Sequence, residues 1–126
     1  MNIPEGLKYT KEHEWVKVEG NIGTVGVTDY AQGELGDIIY IDVTTVGNDV
    51  AVGDSFGTIE AVKTVSDMYA PVSGKITDFN SAVNDNPASI NQDPYGAGWL
   101  VKIEMSNMGD LDSLLSPQEY KNLIGG

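Results

Sequence analysis

The sequence predicts a mainly β fold of the sandwich or barrel kind, and three observations carry that expectation. Short apolar or alternating runs rich in Val, Ile, Thr and Tyr recur at Glu14–Val18, Ile22–Thr28, Ile38–Val43, Ser55–Val65, Gly74–Phe79 and Trp99–Glu104. Closely spaced turn formers separate them: Glu19-Gly20-Asn21, Gly47-Asn48-Asp49, Val52-Gly53-Asp54 and Val72-Ser73-Gly74. The 15 glycines in 126 residues suit a chain of many tight turns. At 13.5 kDa the span 1–126 is one domain's worth of chain, and 40% hydrophobic residues suffice for a core without metal or disulfide.

Taken in order, the first two runs are joined by the Gly20-Asn21 turn, and the second leads into Thr28-Asp29-Tyr30-Ala31-Gln32, which opens a helix of one or two turns. Propensity reads Ser55–Val65 as one long strand, because no Gly or Asn stands beside Lys63 to announce a turn there. Asn86-Pro87-Ala88-Ser89 opens a second short helix. The clearest helix is the last, where Ser116-Pro117-Gln118-Glu119 combines a capping hydroxyl, proline at the first helical position and a glutamate to complete a capping box. Gly125 and Gly126 read as a frayed end. A weak internal echo relates Gly23-Thr24-Val25-Gly26-Val27-Thr28-Asp29 to Gly74-Lys75-Ile76-Thr77-Asp78, either as two similar halves or as chance recurrence in a β protein.

Charge narrows the function. The 19 acidic and 7 basic residues give −12, and every basic residue is Lys. A field of that sign repels phosphate backbones and anionic headgroups, which argues against nucleic-acid and membrane partners and for proteins with basic faces. Cysteine is absent, so any redox sulfur must come from outside, and the single His13 forms no histidine metal cluster. Met1–Glu5 carries neither an apolar stretch nor an Arg-rich amphipathic pattern, and no run approaches the roughly 18 apolar residues of a membrane span. The expectation is a cytoplasmic monomer.

One residue is out of place. Lys63 sits among Ala61, Val62, Thr64 and Val65, in a run otherwise read as strand. Such a lysine either points to solvent from an edge strand or is presented at a bend for chemistry. His13 reads as a hydrogen-bonded scaffold residue, Trp15 and Trp99 as core or cleft-wall aromatics, and Asn91 to Gly98 as a loop. Asp110 and Asp112 share no helix face and carry no metal signature, and no glycine-rich segment makes a phosphate loop.

Four ordered blocks then add up to a resemblance. They are Tyr9-Thr10-Lys11-Glu12-His13-Glu14-Trp15-Val16; Val25-Gly26-Val27-Thr28-Asp29 with Ala31-Gln32 and Leu35-Gly36-Asp37-Ile38; Glu60, Val62, Lys63, Ser66-Asp67 and Pro71-Val72-Ser73-Gly74; and Asn91, Asp93-Pro94-Tyr95, Gly98-Trp99-Leu100. Over almost its whole length the chain resembles the H-proteins of the glycine cleavage system, which are lipoyl carriers. It departs from the family pattern at Ala61, Thr64 and Tyr30, where Ser, Ala and His are usual.

The resemblance implies a barrel-sandwich hybrid of the lipoyl/biotinyl hammerhead type, with short helices and a C-terminal helix, and it places Lys63 at a hairpin tip. It implies covalent lipoate on the Lys63 amine, which takes the formal charge from −12 to −13. It further implies a shuttle that takes the aminomethyl group of glycine from the pyridoxal phosphate-dependent glycine decarboxylase (P-protein) to the tetrahydrofolate-dependent aminomethyltransferase (T-protein). Dihydrolipoyl dehydrogenase (L-protein) then reoxidises the carrier, and a lipoate ligase or lipoyl/octanoyl transferase is the modifying enzyme. Glu14 and Asp67 match family positions of a cleft that shelters the aminomethyl-lipoyl end, with Glu12 beside them; without the resemblance they are ordinary solvated carboxylates. On this reading the chain is a carrier with no catalytic residues and no metal. Two alternatives stay open: an H-protein-like lipoyl donor in a relay to other enzymes, and a biotinyl domain, which usually has Met on both sides of the lysine where Val62 and Thr64 stand here.

Overall fold

Glycine at φ 63° lets Gly20 turn the chain back on itself, so that strand β2 (Glu14–Glu19) pairs antiparallel with β3 (Ile22–Val27). In that pairing Trp15 lies opposite Gly26, and a Cβ on Gly26 would stand 2.7 Å from the indole. The close approach demands glycine. The computed structural model describes residues 2–125.

The remaining elements in chain order are β1 (Lys8–Tyr9), which precedes that hairpin, then α1 (Asp29–Leu35), β4 (Ile38–Asp42), β5 (Asp49–Val50), β6 (Ser55–Ala61) and β7 (Val65–Tyr69). They continue with β8 (Gly74–Phe79), α2 (Ala82–Asp85), α3 (Ala88–Gln92), β9 (Val101–Met105), a 3-10 turn at Met108–Ser113 and α4 (Pro117–Ile124). The strands form one sheet in the order β1-β2-β3-β9-β8-β5 and a second in the order β4-β6-β7. All their pairings are antiparallel. Val16, Val25, Ile76, Val101 and Ile103 of the first sheet and Ile41, Phe56, Ile59 and Met68 of the second enter one buried apolar cluster. The mainly β barrel-sandwich expected from the sequence is the architecture found.

The echo between Gly23–Asp29 and Gly74–Asp78 has a spatial counterpart. Strands β3 and β8 flank β9, and both run on into short helices. Thr28 caps α1 by accepting from the Ala31 N–H. Helix α2 was not anticipated, and its Asn84 covers the edge of β4, donating to the Ile41 carbonyl at 2.9 Å and accepting from its N–H at 2.8 Å. At the C-terminus the full capping box forms at Ser116 and Glu119. Gly125, expected to fray, closes α4 in the left-handed conformation with its N–H on the Lys121 carbonyl; Gly126 lies outside the described residues. Buried Tyr120 of α4 stacks on Tyr9 at 4.8 Å, forming with Trp15 a second cluster under the first sheet's edge.

The unbroken strand that propensity gives for Ser55–Val65 is corrected. Strand β6 stops at Ala61, whose N–H donates to the Thr64 carbonyl at 2.8 Å, and β7 returns from Val65. Among the described residues only His13 is a non-glycine with positive φ, so Val62, Lys63 and Thr64 bend without it. The Val62 N–H donates to the Asp37 carbonyl at 3.0 Å. A tertiary hydrogen bond thus holds the bend that local turn chemistry does not announce.

Candidate functional site

Exposed Lys63 stands at the tip of the β6–β7 hairpin, not in mid-strand. Its Cε lies 3.6 Å from where a Cβ on Gly36 would sit, so the aliphatic stem leans on the connection between α1 and β4. Gly36 itself has φ 79°, which favours glycine on its own account.

Beside that tip opens a cleft of about 280 Å³. Helix α1 contributes Tyr30 and Glu34, four residues apart on one face, together with Ala31 and Leu35. The entry to β2 contributes Glu12, His13 and Glu14, and β7 contributes Ser66, Asp67 and Met68. Val27 and Ile59 complete an apolar floor. Sequence reasoning chose Glu14, Asp67 and Glu12, and the fold brings all three to this cleft; Lys63 is not in the lining but leans on Gly36, the residue after Leu35, which is. It missed Tyr30, Glu34 and Leu35, for which the helical i, i+4 spacing in Thr28–Leu35 was the available signal. His13 does both jobs, hydrogen-bonding to Tyr120 and lining the cleft. Neither tryptophan lines it: Trp15 is buried with its indole N–H on the Pro94 carbonyl at 3.0 Å, and Trp99 packs against the same cluster.

The carboxylates differ in setting. Glu14 is 3% exposed; Thr10 Oγ1 donates to its Oε1 at 2.6 Å and the Tyr69 N–H donates to its Oε2 at 3.2 Å. Burial pushes its pKa up to about 7, although both hydrogen bonds favour the charged form and oppose the shift. Asp67 is exposed and accepts from Ser55 Oγ at 3.1 Å, and Glu12 is exposed as well. Four carboxyl groups and no lysine line the cleft, so it is built for a cation and for apolar atoms together. Among the described residues no group of three His, Asp or Glu side chains is arranged to hold a metal ion.

The family model for the glycine cleavage H-protein matches residues 7–125. The chain belongs to the glycine cleavage H-protein family. It is 53% identical over 122 residues to the glycine cleavage system H protein of Carboxydothermus hydrogenoformans, covering 97% of this chain and 94% of that one. The H protein of Staphylococcus haemolyticus is likewise 53% identical, over 99% of both chains. The crystal structure of the H protein from Mycobacterium marinum superposes with a TM-score of 0.90 at 39% identity, covering 98% of this chain and all of the other. An H-protein is a carrier component of the glycine cleavage system, and no helix among the described residues is long and apolar enough to cross a membrane.

Proposed function

We propose that this H-protein carries lipoate as an amide on Lys63 and uses it to convey the aminomethyl group of glycine between glycine decarboxylase and aminomethyltransferase. Dihydrolipoyl dehydrogenase restores the disulfide, and a lipoate ligase or lipoyl/octanoyl transferase installs the group. One observation carries the reading: an exposed lysine at a hairpin tip whose stem leans on Gly36, the residue after Leu35 in the lining of a cleft with four carboxyl groups.

The residues present fit that group. The lipoyl arm, when attached, supplies the sulfur that a chain without cysteine lacks. Val27, Ala31, Leu35, Ile59 and Met68 offer its methylenes an apolar lining, entered beside Leu35, the residue next to Gly36. Glu14 and Asp67 accept hydrogen bonds from an ammonium, and Glu12 adds negative potential at the lip. Walls that exclude water protect a cationic cargo that hydrolyses when exposed. The chain itself catalyses nothing; it binds, orients and shields. Val62, 74% exposed, and Val65, 60% exposed, flank the lysine and give an attaching or partner enzyme an apolar grip on the tip.

The test is intact-mass and peptide analysis after incubation with lipoate ligase, lipoate and ATP, followed by reconstitution with the three partner enzymes. One lipoyl adduct on Lys63, and none on the other six lysines, with carbon dioxide released from glycine, is expected. An unmodified Lys63 would sink the reading.

A further inference from the structure

Thr28 is fully buried, and its hydroxyl has two partners. Its oxygen accepts from the Ala31 N–H at 3.1 Å, so its own hydrogen goes to the remaining neighbour, the Tyr120 hydroxyl at 2.8 Å. Tyr120, having accepted that hydrogen, gives its own to His13 Nδ1 at 2.8 Å. The reverse order leaves the Thr28 hydrogen buried with no acceptor, which is costly. The imidazole is therefore neutral, with its lone pair on Nδ1 and its hydrogen on Nε2. Burial acts in the same direction, holding His13 below the usual histidine pKa against the pull of Glu12 and Glu34.

The backbone places that ring deliberately. His13 has φ 71°, its N–H donates to the Thr10 carbonyl at 3.1 Å, and its carbonyl accepts from the Thr28 N–H at 3.0 Å. The ring tilts over Tyr30, in the first turn of α1, with centroids 4.8 Å apart. Among the described residues Nε2 has no hydrogen-bond partner, and His13 is one of the residues that line the cleft. Lys63 leans on Gly36, just beyond the other end of α1. The helix rises roughly 10 Å between these ends. An arm attached to Lys63 that followed α1 would therefore bring its far end, not its amide, towards His13.

We propose that His13, fixed in the Nε2–H tautomer by Thr28 and Tyr120, is a binding residue of the cleft that donates a hydrogen bond to a sulfur at the far end of the lipoyl arm. The inference rests on the carrier reading. An ammonium has only donors, so it pairs with Glu14 and Asp67 and not with this N–H, and the two kinds of cleft group sort the two ends of the cargo. Tyr120 is a positioning residue: α4 sets the chemistry of the cleft through His13 without lining it.

Because the chain has one histidine, ¹⁵N-resolved NMR reads this imidazole without ambiguity. In unlipoylated protein the Nε2–H tautomer is expected in about tenfold excess or more. Tyr120→Phe keeps the ring stacked on Tyr9 but removes the relay, and the excess should fall several-fold. In lipoylated protein, reducing the arm should shift the Nε2 resonance, and His13→Asn, which tolerates positive φ, should leave the reduced arm more accessible to a thiol reagent. An Nδ1–H tautomer, a ratio indifferent to Tyr120→Phe, or an Nε2 signal indifferent to the reduced arm overturns this inference alone. A Lys63 that takes no lipoyl group overturns the carrier reading and the contact with it.

Discussion

Asn91 holds Gly36 in place: its Nδ2 donates to the Gly36 carbonyl at 2.9 Å and to Gln32 Oε1 at 3.0 Å, while its Oδ1 accepts from the Ile38 N–H at 3.1 Å. The one amide thereby fixes both ends of the connection on which the Lys63 stem leans and to which the Val62 N–H is tied through Asp37. Truncation removes three hydrogen bonds from a half-buried position. Asn91→Ala should cost about 2–3 kcal/mol in denaturant unfolding. It should also slow lipoylation of Lys63 in a mass-spectrometric time course, and an unchanged rate would show that the hairpin tip holds its shape without this support.

Lys63→Arg should fold as the parent does, because the side chain is exposed and its stem contact is small, with a stability change within about 0.5 kcal/mol. A guanidinium is not acylated under conditions that modify an ammonium, so the variant should gain no lipoyl mass and support no carbon dioxide release with the partner enzymes. Residual coupled activity in pure Lys63→Arg would place the attachment elsewhere.

Most of the strands, the Thr28 and Ser116 caps and the turn at Gly20 were legible in the sequence because local chemistry determines each of them, whereas the two-residue strands β1 and β5 were not. The bend at Val62–Thr64 was not. It uses no residue at positive φ and depends on the Asp37 carbonyl, 25 residues away in sequence, so propensity alone read strand through it. For the site, the resemblance singled out Glu14 and Asp67 among 19 acids. His13 read as a hydrogen-bonded scaffold residue, as its bond to Tyr120 bears out, but its place in the cleft was not legible, because Tyr120 and Thr28, which bonds Tyr120 in turn, come from distant parts of the chain. Glu34 was hidden in a helix too short to show a clear polar face.

Glu14 imposes a pH dependence on stability whose sign follows from its setting. Its folded pKa of about 7 lies above the ordinary value of 4.5, so the folded state holds the proton more tightly. The group's contribution is fully present below about pH 4.5 and is lost as pH rises through 7. The loss amounts to about 3 kcal/mol at most. Glu14→Gln cannot ionise. The difference in unfolding free energy between the two proteins should move in favour of the variant between pH 4.5 and 7 and stay level above about pH 8. A difference that is flat across that window would mean that Glu14 ionises in the folded protein as freely as in water.

Release of the loaded group tests the two carboxylates from the side of function. Glu14 is buried at the start of β2, Asp67 is exposed on β7, and both line the same cleft, so on the carrier reading each would accept from an ammonium in a different setting. Asp67→Asn and Glu14→Gln keep side-chain shape and remove one negative charge each, weakening one charge-assisted hydrogen bond apiece. Each should shorten the half-life of the aminomethyl-loaded protein about fivefold, corresponding to about 1 kcal/mol, as measured by formaldehyde release at neutral pH. Equal half-lives for all three proteins would assign the protection to the apolar walls alone.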